Sequence, residues 1–395
     1  MNQDLSRFAV RLREIISIAA CKGREGCEIG EAGKFPSHPS RSSREIFEPE
    51  FSKLALELFA FQFHHNSAYR KICTARQLTP STVAHWTQIP AVPTAAFKEL
   101  ELTSLAPAER TAVFHSSGTT EQKPSRHFHC AESLAVYEAS LIAWFLENVP
   151  PDLQCAVDDL RLVCLTPPPA PVPHSSLVHM FDVVRREYAL PISVFIGELA
   201  RDGSWTLDFV AAYDQLKAAI NSRQPVIMLG TAFSFVHLLD YLASKDLVFN
   251  LPEGSLVMET GGYKNRSRVL PKVELHALIT ERLGVLRENI VCEYGMSELS
   301  SQAYDLEINN QEFKIQNSER GFRFPPWARV QIISPETGRE VAEGETGLIR
   351  IFDLANVFSV AAIQTEDLGV RRGDGFELIG RVQLAEPRGC SLMTA

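Results

Sequence analysis

Short apolar runs alternate with helical stretches through the middle of this chain. The runs cover residues 160–165, 192–196, 226–229, 256–259 and 290–292. The intervals between them are long enough for helices, and this alternation predicts a buried sheet with helices on both faces. Residues 106–325 are therefore predicted to form an α/β core.

The first 105 residues have a mainly helical pattern. Apolar side chains share one helical face near the start, at Leu5, Phe8, Leu12, Ile15, Ile16 and Ala19. Such a stripe is expected to pack on the protein itself rather than on a lipid surface. A break rich in Gly, Ser and Lys lies between Cys21 and Arg44, and a second helix is expected near Glu48. Residues 1–105 are predicted to form a helical N-terminal region.

After Pro325 the pattern changes to alternating apolar and polar residues. Segments 328–333, 347–352 and 376–379 have the two-residue period of half-buried strands. Residues 326–395 are predicted to form a small β subdomain followed by a C-terminal tail.

Composition favours an enzyme with a large core over a nucleic-acid-binding protein. The chain has 395 residues, of which 45% are hydrophobic, and its net charge is −9. Because a phosphate backbone attracts the opposite charge, nucleic acid is not expected as a partner. The eight cysteines include no Cys-x-x-Cys pair and have no zinc-type spacing with histidines. They are interpreted as reduced thiols, which predicts neither a disulfide framework nor a metal site built on them.

The location expected from sequence is the cytoplasm. Charged residues interrupt the first apolar stretch, at Arg7, Arg11, Arg13 and Glu14, so no export signal is expected. The longest stretch without Asp, Glu, Lys or Arg is 162–181, and its prolines prevent a continuous membrane-spanning helix. No membrane span is predicted.

A loop rich in hydroxyl groups follows the N-terminal region, reading His115-Ser116-Ser117-Gly118-Thr119-Thr120-Glu121-Gln122-Lys123-Pro124-Ser125. A flexible glycine lets backbone N–H groups converge on phosphate oxygens, hydroxyls add donors, and a lysine adds positive charge. Taken alone, such a segment is more often a plain surface turn. The loop is therefore a candidate polyphosphate site that needs support from elsewhere.

Two further polar segments directly follow predicted strands. They are Glu259-Thr260-Gly261-Gly262 and Glu293-Tyr294-Gly295-Met296-Ser297-Glu298, and a third segment, Thr365-Glu366-Asp367, lies downstream. Ligands of open α/β sheets bind beyond the strand ends, so the first two segments are expected to share one site.

The order and spacing of these segments resemble the adenylate-forming superfamily, which includes acyl-CoA synthetases and peptide-synthetase adenylation domains. The resemblance extends from about Val113 to Arg381. It implies the corresponding α/β fold, with ATP and Mg²⁺ as cofactors.

The same resemblance assigns a role to individual residues. The ATP phosphates fall on Ser116, Ser117, Gly118, Thr119, Thr120 and Lys123. Tyr294, followed by Gly295, stacks on adenine, and the backbone of Gly261 and Gly262 runs along the base. Ser297 contacts the α-phosphate, Glu298 holds Mg²⁺, and Asp367 and Arg381 face the ribose.

Two of the motifs depart from the superfamily pattern. Glu121 stands where glycine is usual, and Lys123 precedes the proline instead of following it. The phosphate contacts of Glu121, Gln122 and Lys123 are therefore left open. Glu366 also replaces a common glycine, but Asp367 keeps its acceptor oxygens.

The end of the chain resembles one branch of the superfamily, the acyl-protein synthetases (long-chain fatty acid luciferin-component ligases) of bacterial bioluminescence. Segments 66–71, 93–98, 259–264 and 380–392 carry this resemblance. The usual mobile C-terminal domain with its catalytic lysine is not expected, since the sequence stops at Ala395.

In this branch a cysteine near the C-terminus receives the acyl group, which by position is Cys390. The segment from Arg381 to Cys390 reaches about 30 Å when extended, so the thiol could move between the adenylate and a partner protein. Arg388 would favour its thiolate. The alternative is that Cys390 is an ordinary residue of a frayed tail.

The predicted function is two-step acyl transfer, in which a carboxylic acid, expected to be a fatty acid, is adenylated and its acyl group passes to a protein thiol. Lys264, in a basic cluster with Arg266 and Arg268, either neutralises the leaving pyrophosphate or is a solvated loop charge. Expected partners are the acid and an acyl-accepting reductase or carrier protein. The alternatives are a ligase acting on coenzyme A or a carrier protein, and a non-catalytic nucleotide- or acyl-binding subunit.

Overall fold

The computed structural model describes residues 2–24, 41–116, 123–148, 161–188, 193–262, 267–307 and 320–381. The helices of this part are α1 (Gln3–Arg24), α2 (Arg41–His65), α3 (Ser67–Ala75), α4 (Ala96–Glu99), α5 (Ala131–Asn148), α6 (Ser176–Tyr188), α7 (Phe209–Ser222), α8 (Ala232–Ser244) and α9 (Lys272–Leu283). The first strands are β1 (Val92–Pro93), β2 (Ala112–His115), β3 (Arg126–His129), β4 (Arg161–Cys164), β5 (Val194–Phe195), β6 (Gly197–Leu199), β7 (Trp205–Leu207) and β8 (Val226–Thr231). They are followed by β9 (Leu256–Thr260), β10 (Ile290–Tyr294), β11 (Ala303–Glu307), β12 (Arg320–Arg323), β13 (Ala328–Ile333), β14 (Thr346–Asp353), β15 (Ala362–Arg372) and β16 (Gly375–Arg381).

A 12-stranded sheet runs through the described residues in the order β13-β14-β15-β16-β12-β11-β10-β9-β8-β4-β5, with β1 beside β15. Neighbouring strands from β5 through β4, β8 and β9 to β10 are parallel. The others in this order pair antiparallel, apart from the parallel pair of β1 and β15. The α/β fold class predicted from sequence is confirmed.

Helices cover both faces of the parallel part, because its strands are apolar on both sides. In β8, Ile227 and Leu229 point into a core shared with α1, α2 and α5, whereas Val226 and Met228 belong to a second core with α7, α8 and α9. Each strand thus contributes alternate residues to two layers, which is the reason for its continuous apolar run.

The antiparallel part continues the same sheet instead of forming a separate one. Strand β12 pairs with β16 at Phe322 and Phe376, and β13 to β16 follow as a meander. Helix α2 packs on it through Gln62, whose amide donates to the carbonyl of Asn356 and accepts from the N–H of Ala361. The boundaries proposed at residues 105 and 325 remain predictions.

Two further sequence expectations concern the uncharged stretch 162–181 and membrane-spanning helices. The uncharged stretch 162–181 forms strand β4, a loop and the start of α6. None of the described helices has a long enough apolar stretch to cross a membrane.

Candidate functional site

The carboxyl ends of β9 and β10 bring two of the polar segments together. The strands are parallel, and Thr260 at the end of β9 lies beside Glu293 of β10 and donates a hydrogen bond to its carboxylate. Gly261 then turns with φ +69°, a left-handed conformation that disfavours other residues. At Gly295 a side chain would collide with the Glu293 carboxylate. The backbone conformation thus favours glycine at position 261, and the Glu293 side chain favours it at position 295.

Tyr294, Asp367 and Arg381 form one hydrogen-bonded chain. The Tyr294 hydroxyl donates to Oδ2 of Asp367 at 2.8 Å, and Nε of Arg381 donates to Oδ1 at 3.0 Å. Strand pairing sets this geometry, since Asp367 of β15 lies opposite Arg381 of β16. Although burial opposes it, the Asp367 charge raises the pKa of Arg381. Three residues from distant parts of the sequence thus meet at the carboxyl end of β10.

Aromatic rings fix the orientation of Tyr294. Its ring packs edge-on against Phe376, with centroids 5.3 Å apart, and contacts Phe322 and Phe324. Burial, followed by the Asp367 charge, raises the pKa of the Tyr294 hydroxyl well above its usual value, so the group stays a donor. Adenine stacking by Tyr294 remains a prediction.

Ser297 and Glu298 lie beside the two ends of the hydroxyl-rich loop. The Ser297 hydroxyl donates to Oε2 of Glu298 at 3.0 Å and lies 3.3 Å from the Ser125 hydroxyl. The Ser125 N–H donates to Oγ of Ser116 at 3.0 Å. The structure therefore brings the borders of the loop to the predicted α-phosphate and metal residues.

The structure does not show every predicted site residue at this position. Ser117, Gly118, Thr119, Thr120, Lys264 and Cys390 lie outside the described residues, as do Glu121 and Gln122. Lys123 is described, and its ion pair is with Glu99, at 3.6 Å between exposed side chains. Its phosphate role remains a prediction.

Two buried histidines lie next to Ser297, one in contact with it and the other packed on the first. His127 Nδ1 lies 2.9 Å from the Ser297 carbonyl oxygen, so this nitrogen carries the proton and donates. The His129 ring lies 4.2 Å from that of His127, and its Nδ1 lies 3.2 Å from the Ser133 hydroxyl. Burial lowers the pKa of His127 to about 4 and that of His129 well below its usual value. Both imidazoles are therefore neutral near pH 7.

No sequence motif links this histidine pair to Ser297, because the contact joins residues 170 positions apart. Across the described residues, no group of three or more His, Cys, Asp and Glu side chains is arranged to hold a metal ion. The hydrogen bond from His127 to the Ser297 carbonyl oxygen fixes the Ser297 backbone.

This burial predicts a loss of stability in mild acid. The unfolded histidine binds a proton near pH 6.5, whereas folded His127 does so only near pH 4. The free energy of unfolding should therefore fall between these values by about 3 kcal/mol from His127 alone. Urea unfolding across this range should show a smaller fall for His127→Gln. The exposed control His65→Gln should match the wild type, and a fall of unchanged size in His127→Gln would contradict the argument.

Asp353 and Asn356 hold the turn that carries Glu298, and sequence reasoning missed both. Asp353 Oδ2 accepts the N–H groups of Ser300 and Ser301 at 3.0 and 2.8 Å. The Asn356 amide donates to the Glu298 carbonyl at 2.9 Å. Both residues are completely buried, and their only sequence signal is a polar pair at the end of a predicted strand.

The arrangement suits a nucleotide with a hard metal ion. Hydroxyl and carboxylate oxygens converge at Ser116, Ser125, Ser297 and Glu298, and oxygen is the ligand atom that Mg²⁺ prefers. Each carboxylate oxygen of Asp367 has a further lone pair, which can accept a hydrogen bond from a ligand hydroxyl group. The glycine turn after β9 leaves the neighbouring surface open, since added side chains at Gly261 and Gly262 would meet nothing within 4 Å.

The chain is similar in sequence to known proteins over most of its length. Residues 27–395 match the family model described as acyl-protein synthetase, LuxE. The long-chain-fatty-acid–luciferin-component ligase of Aliivibrio fischeri is 23% identical over 377 residues, covering 91% of this chain and 92% of that protein. The ligase of the same name from Vibrio harveyi is 22% identical over 373 residues, covering 91% and 90%.

Solved structures share the fold. A 2-hydroxyisobutyryl-CoA ligase in an open conformation, in complex with 2-HIB-AMP and CoA, superposes with a TM-score of 0.60 at 13% identity. The match covers 91% of this chain and 82% of that one. The same ligase in the thioesterification state gives a TM-score of 0.63, covering 90% and 73%. The chain thus shares its fold with this ligase.

Proposed function

This chain belongs to the acyl-protein synthetase family LuxE, and from that premise we propose that it converts a fatty acid to an acyl adenylate and transfers the acyl group to a protein thiol. The observation that carries the proposal is the convergence of Tyr294, Asp367 and Arg381 with Ser297 and Glu298 at one end of the sheet. These side chains supply the donors and acceptors that a ribose and a phosphate group require.

In the first step, a carboxylate oxygen of the acid attacks the α-phosphorus of ATP. The bond from that phosphorus to the bridging oxygen breaks, and pyrophosphate leaves. On ATP binding, the Ser297 hydroxyl turns from the Glu298 carboxylate, to which it donates in the structure, to the α-phosphate oxygen on which charge builds. Ser116 and the loop hydroxyls Ser117, Thr119 and Thr120 donate to the other phosphates.

Asp367 orients the ribose. Its two oxygens accept from Tyr294 and Arg381 and keep lone pairs for the ribose hydroxyls. The Arg381 side chain is 77% exposed, so its guanidinium can follow the ligand while it donates to Asp367. Gly261 and Gly262 let the adenine approach the backbone.

Glu298 would hold Mg²⁺, which when bound neutralises charge on the phosphate oxygens. Its backbone is held by Asn356, whose amide donates to the Glu298 carbonyl oxygen. Lys264 and Lys123 are the proposed cations for the leaving pyrophosphate.

In the second step, the Cys390 sulfur attacks the acyl carbon and AMP leaves, which forms a thioester. The thiol proton passes to solvent or to the departing phosphate. A reductase or carrier protein then takes the acyl group from this thioester. The four cysteines with described side chains are poor acceptors: Cys73, Cys130 and Cys164 are buried, and burial raises the pKa of Cys292 well above its usual value.

The test is to incubate the protein with ATP, Mg²⁺ and a radiolabelled long-chain fatty acid, then separate it on a denaturing gel. We expect a label on the chain that requires ATP and is released by neutral hydroxylamine, since thioesters are cleaved under those conditions. A parallel reaction contains coenzyme A. Steady coenzyme A thioester formation with no label on the protein would overturn the protein-thiol step and favour a coenzyme A ligase.

A further inference from the structure

A cleft of about 260 Å³ opens where β1 pairs with β15, and it shares no lining residue with the candidate nucleotide site. Its walls come from the end of α3, the segment before β1, and strands β14 and β15. The charged and polar lining residues are Arg76, Thr87, Gln88, Arg350 and Gln364. We call it the arginine cleft.

Both arginines are anchored so that part of each guanidinium stays available. Nη1 of Arg76 donates to the Ala91 carbonyl at 2.9 Å, and Nε of Arg350 donates to Oε1 of Gln364 at 2.9 Å. Gln364 is held in turn, since its amide donates to the Ile349 carbonyl at 3.1 Å. Each guanidinium keeps further N–H groups, in a planar fork that matches oxyanions.

The positive charge of the cleft has little compensation. No carboxylate of the described part of the chain forms an ion pair with Arg76 or Arg350. Burial, followed by the Arg76 charge, lowers the pKa of Arg350, and Glu340 opposes this only partly. Glu340 is engaged elsewhere, in an ion pair with Arg371 at 3.6 Å. An anion between the two guanidinium groups would relieve their repulsion.

Neutral donors and apolar groups complete the wall. Oε1 of Gln88 accepts the N–H groups of Ala84 and His85, at 2.8 and 3.1 Å, which leaves its amide nitrogen as a donor. Leu78 and Ile89 line the cleft with carbon atoms. The cleft thus combines two cations and an amide donor with an apolar surface.

We propose that the arginine cleft binds a phosphate monoester with a small apolar body. A phosphate group carries about two negative charges and three acceptor oxygens, which match two guanidinium forks and a neutral donor. A single carboxylate carries one charge and would leave one arginine uncompensated. The apolar body would lie against Leu78 and Ile89. This proposal is independent of the ATP site.

Phenyl phosphate is a suitable probe, with inorganic phosphate and benzoate testing its two parts separately. Isothermal titration should show phenyl phosphate binding most tightly, inorganic phosphate less tightly because it lacks the ring contacts, and benzoate least. Arg76→Gln and Arg350→Gln should each weaken phenyl phosphate binding by about tenfold or more, because each removes charge-assisted hydrogen bonds. The affinity of Arg350→Lys for phenyl phosphate should lie between those of the wild type and Arg350→Gln, because lysine keeps the charge but lacks the planar guanidinium.

Arg201→Gln is the matched control, because it removes an exposed arginine side chain that lies outside the cleft. This variant should bind phenyl phosphate as tightly as the wild type. Circular dichroism checks folding, and Arg76 is exposed, so its variant keeps the test valid if Arg350→Gln fails to fold. Addition of Mg²⁺ and ATP should not displace the probe. Unchanged affinity in Arg76→Gln, displacement by ATP, or equal affinity for benzoate would overturn the proposal.

Discussion

Replacing Asp367 by alanine should lower acid-dependent exchange between ATP and pyrophosphate by about a hundredfold or more. The carboxylate is the proposed acceptor for both ribose hydroxyls, and hydrogen bonds to a charged group contribute about 1.5–3 kcal/mol each. Its removal also leaves the buried Tyr294 hydroxyl and the Arg381 guanidinium without their partner. Measuring exchange rates at several ATP concentrations separates weaker nucleotide binding from slower chemistry.

The matched control for this variant is Glu366→Ala. Glu366 precedes Asp367 on β15 but is exposed, whereas Asp367 is 8% exposed. Successive side chains of a strand point to opposite faces, so Glu366→Ala should keep nearly full exchange activity. Asp367→Asn keeps the size of the side chain but loses its charge, and its exchange rate should lie between those of the wild type and Asp367→Ala. If Asp367→Ala folds and exchanges at the wild-type rate, Asp367 has no part in nucleotide binding.

Replacing Cys390 by serine should abolish the hydroxylamine-sensitive acyl label on the protein and leave the exchange reaction unchanged. Exchange reports adenylate formation, which precedes the thiol step, so the two assays separate the two half-reactions. A serine hydroxyl at this position is a far weaker nucleophile than a thiol at neutral pH. Loss of label together with normal exchange is the expected outcome.

The other cysteines provide the controls. Cys73 and Cys164 are buried, and burial raises the pKa of Cys73 to about 11, which makes both poor nucleophiles. Cys21→Ser, Cys27→Ser and Cys155→Ser test the remaining positions for which no side chain is described. Each of these variants should retain the label. A label that persists in Cys390→Ser but disappears in one of them would move the acceptor to that cysteine.

The parallel half of the fold could be predicted from sequence because its strands are apolar on both faces. The run 226–229 predicted β8, and the structure extends this strand to Val226–Thr231 with all of its residues buried. Glu259 and Glu293 are polar but lie at the ends of such runs, which indicated the edge of the sheet where the motifs meet. Local composition was sufficient there.

Strand β15 was missed because the residues that matter to the site make it polar. Ala362–Arg372 contains Glu366, Asp367, Arg371 and Arg372, which disguise its alternating burial. The short strands β11 and β12 were missed for a related reason, since β11 buries the charged residue Asp305. Asp305 is paired with Lys272 at 2.6 Å, a contact between distant segments that no local pattern reveals.

The candidate site was predictable where a motif is contiguous, but its supporting residues were not. Ser297 and Glu298 could be identified from their segment, whereas His127, Asp353 and Asn356 reach that segment only through tertiary contacts. The hydrogen bond between Tyr294 and Asp367 likewise joins residues far apart in the chain. Resemblance to a family selected these residues as candidates, and strand register brings Asp367 and Arg381 together.

The most direct test of acyl adenylate formation is the acid dependence of pyrophosphate exchange into ATP by the unmodified chain. Radiolabelled pyrophosphate, ATP and Mg²⁺ are incubated with the protein and a panel of aliphatic and aromatic carboxylic acids. We expect exchange that requires an acid and is fastest with a long-chain fatty acid. Absence of exchange with every acid, from a folded protein that binds ATP, would contradict it.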